Sequence, residues 1–201
     1  VVRSDEHESL ARDVKVINRY LDKQHLENAV FSGYYRSFNM GDEPSFNWDK
    51  GGRLYSPGKD SYQKLKKEQR LSTMRINHEP VAEVDINASY LSIFYGMNGC
   101  PLPAKEDLYK VPGLHRGIVK AWINSAFGKG ALPTRWPSEA KAELIANGIC
   151  MDKLTMTKVG SRVCTAIPIL KLLATTKITW ADIMYLESCA IISAMDSLRE
   201  N

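Results

Sequence analysis

The chain is expected to fold as an α+β protein, and three observations point there. Apolar residues recur at helical spacing near both ends of the chain, residues 73–86 read as strand–turn–strand, and the elements follow one another without a regular β-α-β rhythm. Length and composition agree: 201 residues, 44% hydrophobic and 25% charged, suffice for a buried core and exclude a disordered chain.

Taken in order, Leu10, Val14, Ile17, Leu21 and Leu26 predict an amphipathic helix over residues 5–29. Residues 30–50 hold Phe31, Tyr34, Tyr35, Phe38, Phe46 and Trp48 among Gly33, Gly41 and Pro44, which favours short strands or an irregular loop. Ser61–Leu71 is a polar helical candidate after the Pro57-Gly58 turn. The strand Thr73–Ile76, the polar turn Asn77–Pro80 and a second strand Val81–Ile86 then place Asp85 at a strand end. Ala88–Tyr95 reads as a helix stopped by Gly96, and Leu114–Phe127 as one ended by Gly128-Lys129-Gly130. A short helix Ser138–Ala146 has Ser138 as its expected N-cap, further helix follows Pro168, and Ala181–Leu198 closes the chain. We divide it into an N-terminal helix and aromatic-rich region, 1–50, and a core, 51–201.

No apolar run reaches the length of a spanning helix, and the N-terminal residues are too polar for a secretory leader, so a cytoplasmic setting without membrane contact is the expectation. Cys100, Cys150, Cys164 and Cys189 have neither C-x-x-C nor metal-ligand spacing and are expected to be reduced and mostly buried. His7, His25, His78 and His115 are scattered, and no phosphate-binding P-loop motif occurs. A net charge of +4 says little, but residues 50–75 carry Lys50, Arg53, Lys59, Lys64, Lys66, Lys67, Arg70 and Arg75 against Asp60 and Glu68. That excess could track a phosphate backbone, but from charge alone a solvated helix face is the leading reading.

Two segments carry candidate chemistry. Asp85 at a strand end is placed to hold a divalent cation, although such a residue also serves as a turn former. Arg116, Lys120, Asn124 and Phe127 fall at i, i+4, i+8 and i+11 of one helix. Two cations one turn apart suit a polyphosphate, Arg as a planar fork and Lys as a point charge, while Asn124 adds a donor and Phe127 a flat face for a base. The alternative is a helix with a solvated polar face and Phe127 in the core.

The string Asp85-x-Asn87-x-x-Tyr90-x-Ser92-Ile93 resembles the first palm motif of family B DNA polymerases, D-x-x-S-L-Y-P-S-I. Lys120-x-x-x-Asn124-Ser125-x-Phe127-Gly128 is similar to their K-x-x-x-N-S-x-Y-G fingers motif, with Phe in place of Tyr. Arg116 before Lys120, and Gly52-Arg53-Leu54-Tyr55-Ser56, are closer to family A spacing and to its G-R-L-S-S element, with Gln63 and Arg70 echoing a Gln and a basic residue downstream. The resemblance covers roughly residues 51–128, and 181–198 loosely as the helix before the last palm motif.

It implies a polymerase-like palm with helical fingers and an N-terminal helical segment. The implied activity is template-directed transfer of deoxynucleotides to a primer 3′-hydroxyl with two Mg²⁺ ions, for which Mn²⁺ can substitute. The substrates would be deoxynucleoside triphosphates and a DNA primer-template. Asp85, joined by the Ile86 carbonyl, would be the metal ligand, and Arg116 and Lys120 would hold the β- and γ-phosphates. Tyr90 would pack under the sugar and exclude a 2′-hydroxyl. Arg53, Lys64, Lys66, Lys67 and Arg70 would contact primer-template phosphates. The second palm carboxylate, in Y-x-D-T-D or H-D-E/H-D-S, does not occur. Met195-Asp196-Ser197 lies within a helical pattern, where Asp196 is expected to face solvent, and the chain is expected to be incomplete at its C-terminus. Two readings stand beside the polymerase: a noncatalytic nucleic-acid-binding module on a palm-like scaffold, and a fortuitous match on an unrelated α+β protein.

Overall fold

The apolar positions Leu10, Val14, Ile17 and Leu21 do form one face of a helix, α1 (Asp5–Leu21), with Ile17 fully buried. It stops well before residue 29 because Lys23 and Gln24 donate to the carbonyls of Tyr20 and Leu21, tightening the last turn, and Leu26 enters a strand instead. These elements belong to a computed structural model that describes residues 5–104 and 107–200 and is mixed helix and sheet. Its contacts resolve into two units, one containing the residues up to Ile86 and from Met184 onward, the other Asn87–Ile183. This boundary lies apart from the division at residue 50 expected from composition.

In the first unit, β1 (Leu26–Glu27), β4 (Arg75–Ile76) and β5 (Glu79–Pro80) form an antiparallel sheet in the order β1-β4-β5. The β4–β5 turn is Asn77-His78, with φ of 52° and 70°, the pair of left-handed residues a two-residue hairpin requires. Asn77 locks it to β1: its N–H donates to the His25 carbonyl and its Oδ1 accepts from the His25 N–H, both at 2.8 Å. A second ribbon pairs β2 (Tyr35–Phe38) with β3 (Gly51–Tyr55), setting Tyr35 opposite Tyr55. Gly52 must be glycine there, since at φ 76° a Cβ would lie 2.7 Å from the Arg36 guanidinium. The candidate helix 61–71 resolves into a 3-10 turn, Tyr62–Lys64, and α2 (Lys67–Thr73).

The expected strand Val81–Ile86 does not form. Residues 81–86 have no regular secondary structure and join no ladder, and Val84 is 95% exposed. Pro80 has no N–H to continue the pairing, and Glu83 is drawn onto Arg70 (2.7 Å) and Lys67 (3.7 Å) of α2.

The second unit is helical. α3 (Ser89–Met97) runs one residue past Gly96 and follows Ala88, whose φ of 47° is left-handed. α4 (Arg116–Lys129) is capped by His115, whose Nδ1 accepts from the Gly117 N–H at 3.1 Å, and ends at Gly130 with φ 63°. α5 (Ser138–Ala146) matches expectation in extent, but Pro137 occupies the cap and Ser138 lies inside the helix. α6 (Met156–Ala166) was not anticipated; Thr155 caps it by accepting from the Lys158 N–H. After Pro168 the chain forms a 3-10 helix, Pro168–Ala174, and then α7 (Trp180–Glu200), which continues into the first unit. Leu91, Phe94, Val119, Trp122, Ile123, Phe127, Val159, Val163, Leu170 and Ile183 are buried together as the core of this unit. Gly160 of α6 allows the close approach of α6 to α4: a Cβ there would lie 2.8 Å from the Trp122 ring.

Candidate functional site

Asp85 lies in the segment that follows the β4–β5 hairpin. It is exposed in the ladder-free segment and forms no ion pair among the described residues. The segment is anchored by Glu83, whose carboxyl is held below the usual carboxylate range first by the Arg70 hydrogen bond and then by the nearby charges of Arg70 and Lys67. Arg70 is fixed in turn by donating to the Leu65 carbonyl at 2.7 Å. Ile86, the other expected ligand, is half-buried. In the second unit, Ser92 donates to the Asn87 carbonyl at 2.9 Å, bracing the turn that carries Ala88. Among the described residues no group of three or more His, Cys, Asp or Glu side chains is arranged to hold a metal.

On α4 the stripe divides. Arg116, Lys120 and Asn124 are exposed, whereas Ile118, Val119, Trp122, Ile123, Ala126 and Phe127 are buried. Phe127 lies roughly 20° around the helix from Arg116 by helical geometry, yet it is only 1% exposed. The C-terminal half of α4 is covered by α3, with Phe94 and Tyr90 packed edge-on at centroid distances of 5.4 and 6.0 Å. Phe127 is therefore a core residue and offers no face to a base. Tyr90 is half-buried against it.

Arg116 is held by a group the sequence reading did not foresee. Its Nε donates to Asp107 at 2.8 Å, and its guanidinium lies 5.2 Å from the centre of the Tyr109 ring. The Asp107 carboxyl is pushed below its ordinary range, chiefly by the Arg116 hydrogen bond and then by the Tyr109 N–H. Nε is one of five donors on the side chain, so the guanidinium retains donors for a ligand. Lys120 forms no ion pair among the described residues.

The basic region 50–75 is partly neutralised. Arg53 pairs with Glu187 of α7, Nε at 2.9 Å, and Arg70 and Lys67 pair with Glu83. Lys59, Lys64 and Lys66 are exposed and form no ion pair among the described residues. Gln63 clamps the Gly52–Ser56 element, its Oε1 accepting from the Ser56 N–H at 2.8 Å and its Nε2 donating to the Leu54 carbonyl at 3.3 Å.

No family model, curated protein or solved structure matches the chain.

Three further expectations are corrected. Cys100 and Cys150 are exposed and Cys189 is half-buried, which leaves Cys164 as the buried cysteine. Asp196 is half-buried and lies 3.6 Å from Arg199, so it does not simply face solvent. Nor are the histidines all scattered. The β4–β5 turn brings the His78 ring to 5.5 Å from that of His25, with His78 Nδ1 2.6 Å from Glu27. No described helix is long and apolar enough to cross a membrane.

Proposed function

We propose that the chain performs template-directed nucleotidyl transfer, adding deoxynucleotides to a primer 3′-hydroxyl on a DNA template. The observation supporting this most directly is α4, where a buried apolar face fixes a helix whose exposed side presents Arg116, Lys120 and Asn124 on successive turns. A rigid helix holding two cations a turn apart is suited to a triphosphate, which offers charge at that spacing.

The donor chemistry at Asp85 fits Mg²⁺. It is a hard carboxylate, exposed and engaged by no cation of the described chain, and Mg²⁺ binds through one or two carboxylates while keeping water and substrate phosphate oxygens. Asp85 and the Ile86 carbonyl would hold the ion, which when bound would supply positive charge for phosphoryl chemistry. Arg116 binds the phosphates with its remaining donors while Asp107 fixes its direction. Lys120 follows the charge that develops on departing pyrophosphate. Asn124 would donate to the nucleotide, and Tyr90, packed edge-on against Phe127, would sense the sugar.

Primer extension tests this reading. Lys120→Ala is expected to lower the rate roughly 10²-fold, the usual effect of removing one electrostatic donor, and Asp85→Ala by at least as much. Equal activity in wild type and both variants would remove these residues from the mechanism. A second reading, a noncatalytic nucleic-acid-binding module, is favoured by the exposed Lys59, Lys64 and Lys66. It predicts DNA binding that weakens with salt and is indifferent to Asp85→Ala.

A further inference from the structure

We infer that the Tyr35–Tyr55 pair and the groove beside it form a stacking platform for the unpaired bases of a single-stranded nucleic acid, with Lys64 on its backbone. The inference rests on the function proposed above, from which it takes its class of partner, and gives Tyr35 and Tyr55 a role that the motifs do not assign them.

Tyr35 and Tyr55 are directly opposed on β2 and β3, so their rings share one face of the ribbon. The centroids are 5.9 Å apart, the planes are 32° from parallel, and the residues remain 50% and 40% exposed. A cross-strand contact accounts for the pairing but leaves much of both rings in water. The adjoining groove, about 650 Å³, is walled by Tyr35, Tyr55, Pro57, Gly58, Gln63 and Lys64. Its shape is held, because the Gln63 amide bonds the backbone on both sides of Tyr55, at Leu54 and Ser56.

Charge selects the occupant. Lys64 in the wall, and Lys59 and Lys66 nearby in sequence, are exposed without ion pairs among the described residues, while the acid lining the groove, Glu83, is already paired with Arg70 and Lys67. A polyanion is therefore favoured over an acid-poor apolar peptide. Exposed aromatic faces beside free ammonium groups suit a single strand, whose bases are available to stack, rather than a duplex, whose bases are not.

The test is fluorescence anisotropy of the full 201-residue chain with a labelled oligo(dT) of about twelve nucleotides, a length within the usual site size, and with a blunt duplex. Tyr35→Ala and Tyr55→Ala should each weaken oligo(dT) binding about fivefold or more without changing its salt dependence. Tyr35→Phe and Tyr55→Phe should bind normally, and the corresponding Leu variants should not. Lys64→Ala should flatten the salt dependence by about one phosphate contact. Duplex binding should be unmoved by the Tyr variants. If the Ala variants, with wild-type circular dichroism, bind oligo(dT) as wild type does, or if Leu restores binding, the inference is overturned. Nucleotide addition is measured in parallel: loss of the Tyr effect with intact primer extension defeats this inference alone, and a Tyr effect with Lys120-independent extension defeats the polymerase reading alone.

Discussion

Replacing Gly160 with alanine tests how tightly α4, the helix carrying Lys120, is seated. An ideal Cβ on Gly160 would lie 2.8 Å from Trp122 Cζ2 and 3.0 Å from both Cε2 and Nε1. Favourable carbon contacts lie at about 3.5–4.0 Å, so the ring or α6 must move by more than half an ångström, on the order of the gap in contact distance. The ring has little freedom: Trp122 is 1% exposed and its Nε1 donates to the Met156 carbonyl at 3.1 Å. Overpacking of this kind costs about 1–3 kcal/mol, while alanine in place of glycine inside a helix returns about 1 kcal/mol. Gly160→Ala should therefore give a net loss of up to about 2 kcal/mol, or a fall in Tm of about 2–4 °C per kcal/mol for a chain of this size. Urea unfolding of a double-mutant cycle with Trp122→Phe isolates the contact. With the larger ring gone, the same alanine should stabilise, and the coupling should be about 1–3 kcal/mol. A stabilising Gly160→Ala with Trp122 intact, or a coupling near zero, would refute the packing argument.

Asp107 should titrate below the ordinary carboxylate range, and Arg116→Gln should raise its midpoint towards that range, as followed by NMR of the side-chain carboxyl. Because its folded pKa is depressed, its stabilising contribution is present above the unfolded value and disappears as pH falls through the folded one. An unchanged midpoint in Arg116→Gln would show that the hydrogen bond is not the cause. Arg53→Ala should be more costly than a surface substitution, because its partner Glu187 is only 11% exposed. Breaking a buried pair costs roughly 3–5 kcal/mol, and discounting for the 39% exposure of Arg53 leaves about 1–3 kcal/mol in urea unfolding. Adding Glu187→Gln should recover part of that loss.

The helices were legible where one apolar face repeats over several turns. α1 and α7 were read from that periodicity, α4 with the help of its Gly128-Lys129-Gly130 stop, and α5 from Ser138 as its expected N-cap, although Pro137 takes the cap. α6 was missed although Met156, Val159, Val163 and Ile167 share a helical face, because Gly160 and the polar residues between them dilute the pattern. The strand 81–86 failed for the opposite reason. Alternating apolar residues were present, but pairing depends on a neighbouring strand, and Pro80 ends the ladder. At the site, the exposed stripe of α4 was readable from spacing, but the burial of Phe127 depends on α3 crossing its end. The acids that engage the cations, Asp107, Glu83 and Glu187, lie up to 134 residues away in sequence, and no local pattern reports them.

The division of the chain into units has a consequence for the order in which it folds. Asn87–Ile183 is one continuous stretch with its own core, so it has everything it needs once it has left the ribosome. The other unit is discontinuous: Arg53 waits for Glu187, and Arg36 for Ser188, each separated from its partner by well over a hundred residues. Contacts that close such long loops form late. The N-terminal half, although synthesised first, should therefore complete its folding last, and the Tyr35–Tyr55 ribbon acquires its support only when α7 arrives. During synthesis, that ribbon is the part of the molecule most in need of protection from premature pairing.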